Sequence, residues 1–202
     1  MIFRSAEPNI SIPEQPLTEI VLQRATEFAD RPAMIDGLTG RMITYGELAD
    51  SIGRVAAGFA ARGFSKGDVV AIYSPNCLEY PIAFQAIASL GGVISTANPS
   101  YTASELAYQL NDAGAKYLLT VPELLERGLE AASQSKVESV FVFGNAAGAI
   151  PFSGHLTDGR QAITGFEYAR EHVLPDGFDN LLVKVSFIHT LSIFTSAESS
   201  KV

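Results

Sequence analysis

The feature that most constrains this chain is an alternation. Short apolar runs at Val69–Tyr73, Val93–Thr96, Tyr117–Thr120 and Val140–Phe143 are separated by stretches of helical spacing at Glu79–Leu90, Thr102–Asp112 and Pro122–Ala132. Strand, helix, strand, helix in that order predicts a mostly parallel sheet, because a parallel connection must cross over and a helix does so. The runs are apolar at consecutive positions rather than at alternate ones. A sheet whose strands are covered on both faces requires that pattern. The fold class that follows is α/β, a mostly parallel sheet with helices on both faces.

Local signals mark where several elements begin. Thr44-Tyr45-Gly46-Glu47 is a capping box, in which Thr and Glu each satisfy a backbone donor at a helix start. Leu48, Ile52, Val55, Ala56 and Phe59 follow at helical spacing, and Gly63 supplies a stop. Thr102-Ala103-Ser104-Glu105 repeats the arrangement ahead of Leu106, Leu110 and Gly114. Upstream, Pro16 to Asp30 reads as an amphipathic helix, and Ala33–Asp36 with Arg41–Thr44 as a hairpin around Gly37 to Gly40. Downstream, Gly144 to Gly165 reads as loop, Phe166–Val173 as a short helix and Pro175-Asp176-Gly177 as a turn. From Leu181 the residues favour strands, with no capping logic and no partner element.

Charge and cysteine usage exclude some functions. The 14 Lys+Arg against 22 Asp+Glu leave a net charge of −8 in 202 residues, which argues against a nucleic-acid partner. Cys77 is the single cysteine, so no internal disulfide forms and no thiolate metal cage can be built. The first dozen residues have no apolar core of the kind a secretory signal needs. Tyr80 to Ser104 is free of charge, but Pro81, Gln85, Gly91, Gly92, Asn98 and Pro99 interrupt it, so no membrane span is expected. Ser200-Lys201-Val202 misses a peroxisomal Ser-Lys-Leu address at its last residue and is not read as one. The expected location is cytoplasmic.

The chemistry visible in the residues is sparse. Ligands of open α/β sheets sit at the carboxyl ends of strands. Tyr73-Ser74-Pro75-Asn76 and Thr96-Ala97-Asn98-Pro99 occupy such places, although Ser-Pro and Asn-Pro are also ordinary turn formers. Neither GxGxxG nor GxxxxGK[ST] occurs, and Gly91-Gly92 follows a helix, the wrong context for a phosphate loop. His155, His172 and His189 make no ligand pair on one helix face. Cys77 has no base near it in sequence. No catalytic, cofactor-binding or metal residue is assigned.

A family likeness emerges from the motifs together. Ile43-Thr44-Tyr45-Gly46-Glu47-Leu48 resembles the first core motif of the AMP-forming, adenylating ligases. Ser89-Leu90-Gly91-Gly92-Val93-Ile94-Ser95-Thr96-Ala97-Asn98-Pro99 and Tyr101-Thr102-Ala103-Ser104-Glu105-Leu106 resemble the second. The Ala-Asn-Pro and Tyr-Thr pieces are similar to those of 4-coumarate–CoA ligase-like acyl-CoA synthetases. Gly67-Asp68-Val69-Val70, Ser74-Pro75-Asn76-Cys77 and Asp112-Ala113-Gly114-Ala115-Lys116 fit the same template. The likeness runs from Leu17 to Asn180 and is most specific across Thr44–Lys116.

The resemblance implies the N-terminal part of the adenylating-enzyme large domain, incomplete here, in residues 1–180, followed by a divergent tail in residues 181–202. It implies a full-length enzyme that uses ATP and Mg²⁺ to activate a carboxylic acid as an acyl-adenylate and then transfers it to coenzyme A. The family's Ser-Gly-Thr-Thr-Gly loop is expected after Asn180, where this chain has Val185-Ser186-Phe187-Ile188-His189-Thr190. The chain is therefore expected to be a fragment, inactive and without cofactors of its own. Its tail would come from a frameshift, a premature stop or an unspliced intron, or else belong to a shortened protein. Two rivals stand beside that reading. An interaction module would pair with a complementary chain or itself through uncovered apolar surface. A small independent nucleotide-binding domain would lack its phosphate loop.

Overall fold

The computed structural model describes residues 15–152. It opens on α1 (Leu17–Leu22), a shorter helix than the Pro16–Asp30 spacing predicts. Beyond Leu22 the chain winds through turns, with Ala25 N–H donating to the Leu22 carbonyl and Arg31 N–H to that of Phe28. The Ala29 carbonyl accepts from the distant Gly46 N–H at 3.0 Å. That tertiary tie overrides the local periodicity. The hairpin forms where expected, as β1 (Pro32–Ile35) antiparallel to β2 (Met42–Thr44). Its turn is held by Asp36 Oδ1, which accepts the Leu38 and Thr39 N–H groups and keeps that carboxyl below its usual range.

Both capping boxes are realised. At the start of α2 (Tyr45–Ala61), Thr44 Oγ1 accepts the Glu47 N–H at 3.2 Å, and Glu47 Oε2 accepts the Thr44 N–H at 2.9 Å. Then come β3 (Val69–Tyr73), α3 (Glu79–Ser89), β4 (Val93–Ala97) and α4 (Ala103–Ala113). The second box starts α4 with Thr102 and Glu105, and Gly114 ends it at φ +65°. After β5 (Ala115–Thr120), the stretch from Pro122 divides into a 3₁₀ turn, Pro122–Leu124, and α5 (Leu125–Ser133). β6 (Ser139–Val142) and β7 (Ile150–Pro151) complete the described chain. β7 corrects the reading of Gly144 to Gly165 as unbroken loop. Two residues carry too little pattern to read, and a Pro is tolerated because the strand lies at the sheet edge. The helix at Phe166–Val173, the turn at Pro175-Asp176-Gly177, the tail and all three histidines lie outside the described residues.

The sheet runs β4-β3-β5-β6-β7, every pair parallel. Alternate residues of β5 show which helices cover which face. Tyr117 packs its ring 5.9 Å from that of Phe59 on α2, whereas Leu118 and Thr120 meet Gly128 on α5. Because α2 packs with α3, and α4 with α5, the helices form two layers on opposite faces. One layer's core is a ring cluster, Phe59, Phe64, Tyr117 and Phe141, with neighbouring centroids 5.6–6.1 Å apart. The charge-free stretch from Tyr80 resolves into α3, a turn, β4 and a loop. Among the described residues, no helix is long and apolar enough to cross a membrane.

At the amino edge of the sheet, Lys116 Nζ donates to Asp68 Oδ2 at 2.8 Å and to the Gly63 carbonyl at 3.1 Å. Asp68 Oδ2 also accepts the Ser65 N–H. The pairing with Asp68 holds the Lys116 ammonium above its ordinary value.

Gly92 sits at the same edge, between α3 and β4, where a Cβ would lie 2.5 Å from Phe64 Cζ and 2.8 Å from Ile87 Cγ2. Phe64 is buried within the ring cluster and has no room to swing aside. Gly92→Ala is therefore expected to lower stability by about 2 kcal/mol through overpacking. Urea unfolding measures it, and an unchanged midpoint would refute the packing argument.

Candidate functional site

The strand order turns at β3. The chain leaves β3 for β4 on one side and then returns to pair β5 on its other side. At such a point the crossover helices depart to opposite faces, and a crevice opens at the carboxyl ends of the strands. Tyr73, Ser74, Asn98 and Thr120 all lie at this edge.

Side chains of the chain itself fill the crevice. Tyr73 is fully buried, and its hydroxyl donates to the Tyr101 carbonyl at 2.7 Å. Arg127 Nη1, from α5, donates to the same carbonyl at 3.2 Å, and its guanidinium lies 6.0 Å from the Tyr73 ring centre. Below them, Thr120 Oγ1 donates to the Tyr73 carbonyl at 2.8 Å, while the Thr120 carbonyl accepts the Phe143 N–H. These bonds tie the ends of β3 and β5, the residue after β6, the loop before α4 and the first turn of α5. Burial pushes the Tyr73 phenol above its ordinary value, with the Arg127 charge opposing. The hydroxyl is thus a neutral donor at physiological pH.

The other residues singled out by sequence serve as turn formers. Ser74 is buried, and its hydroxyl donates to the Pro75 carbonyl. Asn98 Oδ1 accepts the Ser100 N–H at 2.9 Å, an Asx turn. Cys77 is half-buried with its sulfur 3.9 Å from Ser74 Oγ. Burial pushes its thiol up, so it is protonated and a poor nucleophile near neutral pH. Burial also pushes the neighbouring Tyr80 up to about 12. Gly91-Gly92 lies at the amino end of β4, across the sheet from the crevice. Arg127 and Thr120 were not foreseen as members of this cluster. A polar residue closing an apolar strand was the one available signal for Thr120, and none pointed to Arg127.

The polar atoms of Tyr73 and Thr120, and one amino group of Arg127, are bonded to the protein. Among the described residues no cluster of three or more His, Cys, Asp or Glu side chains is positioned to hold a metal ion.

Comparison with known proteins supplies the family context. The family model described as AMP-binding enzyme matches residues 21–160. The chain is 41% identical over 131 residues to 4-coumarate–CoA ligase 4 of Arabidopsis thaliana, covering 62% of this chain and 23% of that protein. It is 33% identical over 181 residues to 4-coumarate–CoA ligase 5 of Oryza sativa subsp. japonica, covering 77% of this chain and 34% of that protein. A long-chain-fatty-acid–CoA ligase from Archaeoglobus fulgidus has the same fold, with a TM-score of 0.70 over 78% of this chain and 33% of that one, at 23% identity. The chain thus spans about a quarter to a third of the length of the curated relatives it matches.

Tyr73→Phe removes one of the two donors to the Tyr101 carbonyl and leaves Arg127 as the other. The expected cost near neutral pH is about 1 kcal/mol, the net worth of one such bond. The alkaline limb gives a second readout. A phenol whose folded-state pKa is raised contributes stability that is complete below the unfolded value and lost as pH rises through the folded one. Stability should therefore fall from about pH 10, the ordinary tyrosine value. The Phe variant should lose less over that range than the parent. Equal alkaline losses in chemical-denaturation curves would refute this role for Tyr73.

Proposed function

Because the chain belongs to the family of AMP-binding enzymes, among adenylate-forming CoA ligases of the 4-coumarate kind, we propose that residues 1–180 form the first part of an ATP-dependent, AMP-forming carboxylate–CoA ligase domain. Residues 181–202 are a separate, divergent tail. In the whole enzyme the carboxylate attacks the α-phosphorus of ATP, releasing pyrophosphate and forming an acyl-adenylate, and the coenzyme A thiol then takes the acyl group and releases AMP, with Mg²⁺ as the companion of ATP. The 202 residues alone provide scaffold and no turnover, and they reside in the cytoplasm. The observation that carries this reading is the switch-point crevice. Its side chains are spent on fastening five segments of backbone together, which suits a supporting half rather than a reacting one.

ATP–pyrophosphate exchange tests it. The purified chain is expected to give no exchange above background with 4-coumarate, benzoate or a long-chain fatty acid, and measurable exchange would overturn its silence. A chimaera in which residues 1–180 replace the matching part of the rice ligase is expected to recover exchange. A folded but silent chimaera would overturn the family role.

Self-association has support from one observation. Ile35 and Met42 are cross-strand partners on the hairpin and Leu38 is at its tip, and all three are exposed. Sedimentation velocity of the 202-residue chain is expected to show a weight-average mass rising with concentration, lowered by the Ile35→Thr, Leu38→Ser, Met42→Thr triple variant. A concentration-independent monomer would dismiss this contact.

A further inference from the structure

Arg127 passes over the partner its own helix offers. Glu130 stands three residues on in α5, a spacing at which helices pair opposite charges. The ion pairs among the described residues do not include these two. The guanidinium reaches instead across to the β4–α4 loop, where Nη1 donates to the Tyr101 carbonyl at 3.2 Å. On the way it lies over the Tyr73 ring, 6.0 Å from its centre. The Tyr73 hydroxyl is the second donor to that carbonyl, at 2.7 Å. A carbonyl oxygen has two lone pairs, and here each has its donor.

The loop that owns this carbonyl, residues 98–101, is a turn closed on itself. Ser100 N–H donates to Asn98 Oδ1 at 2.9 Å, and Tyr101 N–H to the Asn98 carbonyl at 3.0 Å. Asn98 and Ser100 are exposed, while the Tyr101 ring packs against the core. Among the described residues, the hydrogen bonds that reach this turn from outside β4 and α4 are those of Tyr73 and Arg127. Tyr73 is fixed by burial at the end of β3. A single bond to it leaves the turn free to pivot about the carbonyl. The second bond, from a different element, removes the pivot.

We propose that Arg127 is a positioning residue for the ligase reaction, fixing the turn of residues 98–101 in the arrangement that substrate meets. This rests on the ligase reading above, because it takes the carboxyl edge of the sheet as the side from which ligands approach. Without the second bond the turn divides its time between seated and displaced arrangements. Apparent substrate affinity then falls with the seated fraction. Once substrate is bound the turn is seated, and the reaction proceeds as before. KM therefore rises while kcat stays.

The chimaera carrying residues 1–180 in the rice ligase tests this by ATP–pyrophosphate exchange, with ATP and 4-coumarate each varied. Arg127→Met keeps much of the side chain's length and loses its donors. It is expected to raise KM for one or both substrates about fivefold, the population ratio set by one ordinary hydrogen bond, at unchanged kcat. Arg127→Lys keeps a charged donor and is expected to stay within about twofold of the parent. Lys116→Met breaks the clasp at the amino edge and controls for stability alone. It is expected to lower Tm and leave KM unchanged. In the 202-residue chain, nuclear magnetic resonance is expected to show the Tyr101 carbonyl carbon shifting in Arg127→Met and much less in Arg127→Lys. Should Arg127→Met fail to fold, Arg127→Gln, polar but too short to reach the carbonyl, takes its place.

A fall in kcat at unchanged KM, unchanged kinetics, or an equal rise of KM in Lys116→Met would overturn the proposal. So would a Lys variant as impaired as the Met variant, or a Tyr101 carbonyl that does not shift. A parent chimaera without exchange would overturn the ligase reading and this role with it. An active parent beside an unaffected Arg127→Met would overturn the role of Arg127 alone.

Discussion

A parallel strand pair cannot be closed by a tight turn, and the rest of this structure follows from that constraint. Each parallel connection along the sheet must leave one edge, travel the height of the strands and re-enter at the opposite edge. A crossover that starts one residue early or late would rotate its apolar stripe away from the sheet. Thr102 with Glu105 removes that freedom for the crossover between β4 and β5, and Thr44 with Glu47 fixes the start of α2, which enters the sheet from the hairpin ahead of β3. The buried faces of α2 and α4 then meet the strands in phase, with Phe59 and Leu106 fully enclosed. Local hydrogen bonds at two helix starts thereby set the packing of two layers.

That dependence explains which parts of the fold were legible in the residues. The capping boxes, the apolar strands and the glycine stops are local, and the structure places them within a residue or two of the reading. The first helix misled because Ala29 is recruited by Gly46, a partner well removed in sequence. β7 escaped because a two-residue strand ending in Pro exists only through its neighbour β6. The order of the strands is likewise a property of the assembled sheet. It depends on which side of β3 each crossover lands, and no single segment encodes that.

The candidate site was less legible for a related reason. Tyr73 and Asn98 could be placed at strand ends from the alternation alone. Their roles could not, since Tyr73 acts on Tyr101 from another loop and Arg127 arrives from a helix on the far side of β5. Motifs that look like ligand-binding loops, Ser74-Pro75 and Asn98-Pro99, spend their polar atoms on the backbone beside them. The family likeness, carried by those same motifs, was the more informative signal. It described what kind of scaffold the residues build, while the hydrogen bonds describe how that scaffold is tied.

The Lys116–Asp68 clasp has a consequence when set beside the Tyr73 cluster at the other end of the same strands. The clasp is an ion pair within reach of solvent, and added electrolyte weakens it. The bonds from Thr120 to the Tyr73 carbonyl and from the Tyr73 hydroxyl to Tyr101 join neutral groups that electrolyte scarcely touches. One sheet is thus fastened by two different chemistries, so its two ends need not loosen together. Brine would fray it from the amino side, where Gly63 and Ser65 hang on the ion pair, whereas alkali reaches both ends, the Lys116 ammonium at one and the phenol that holds the loop ahead of α4 at the other.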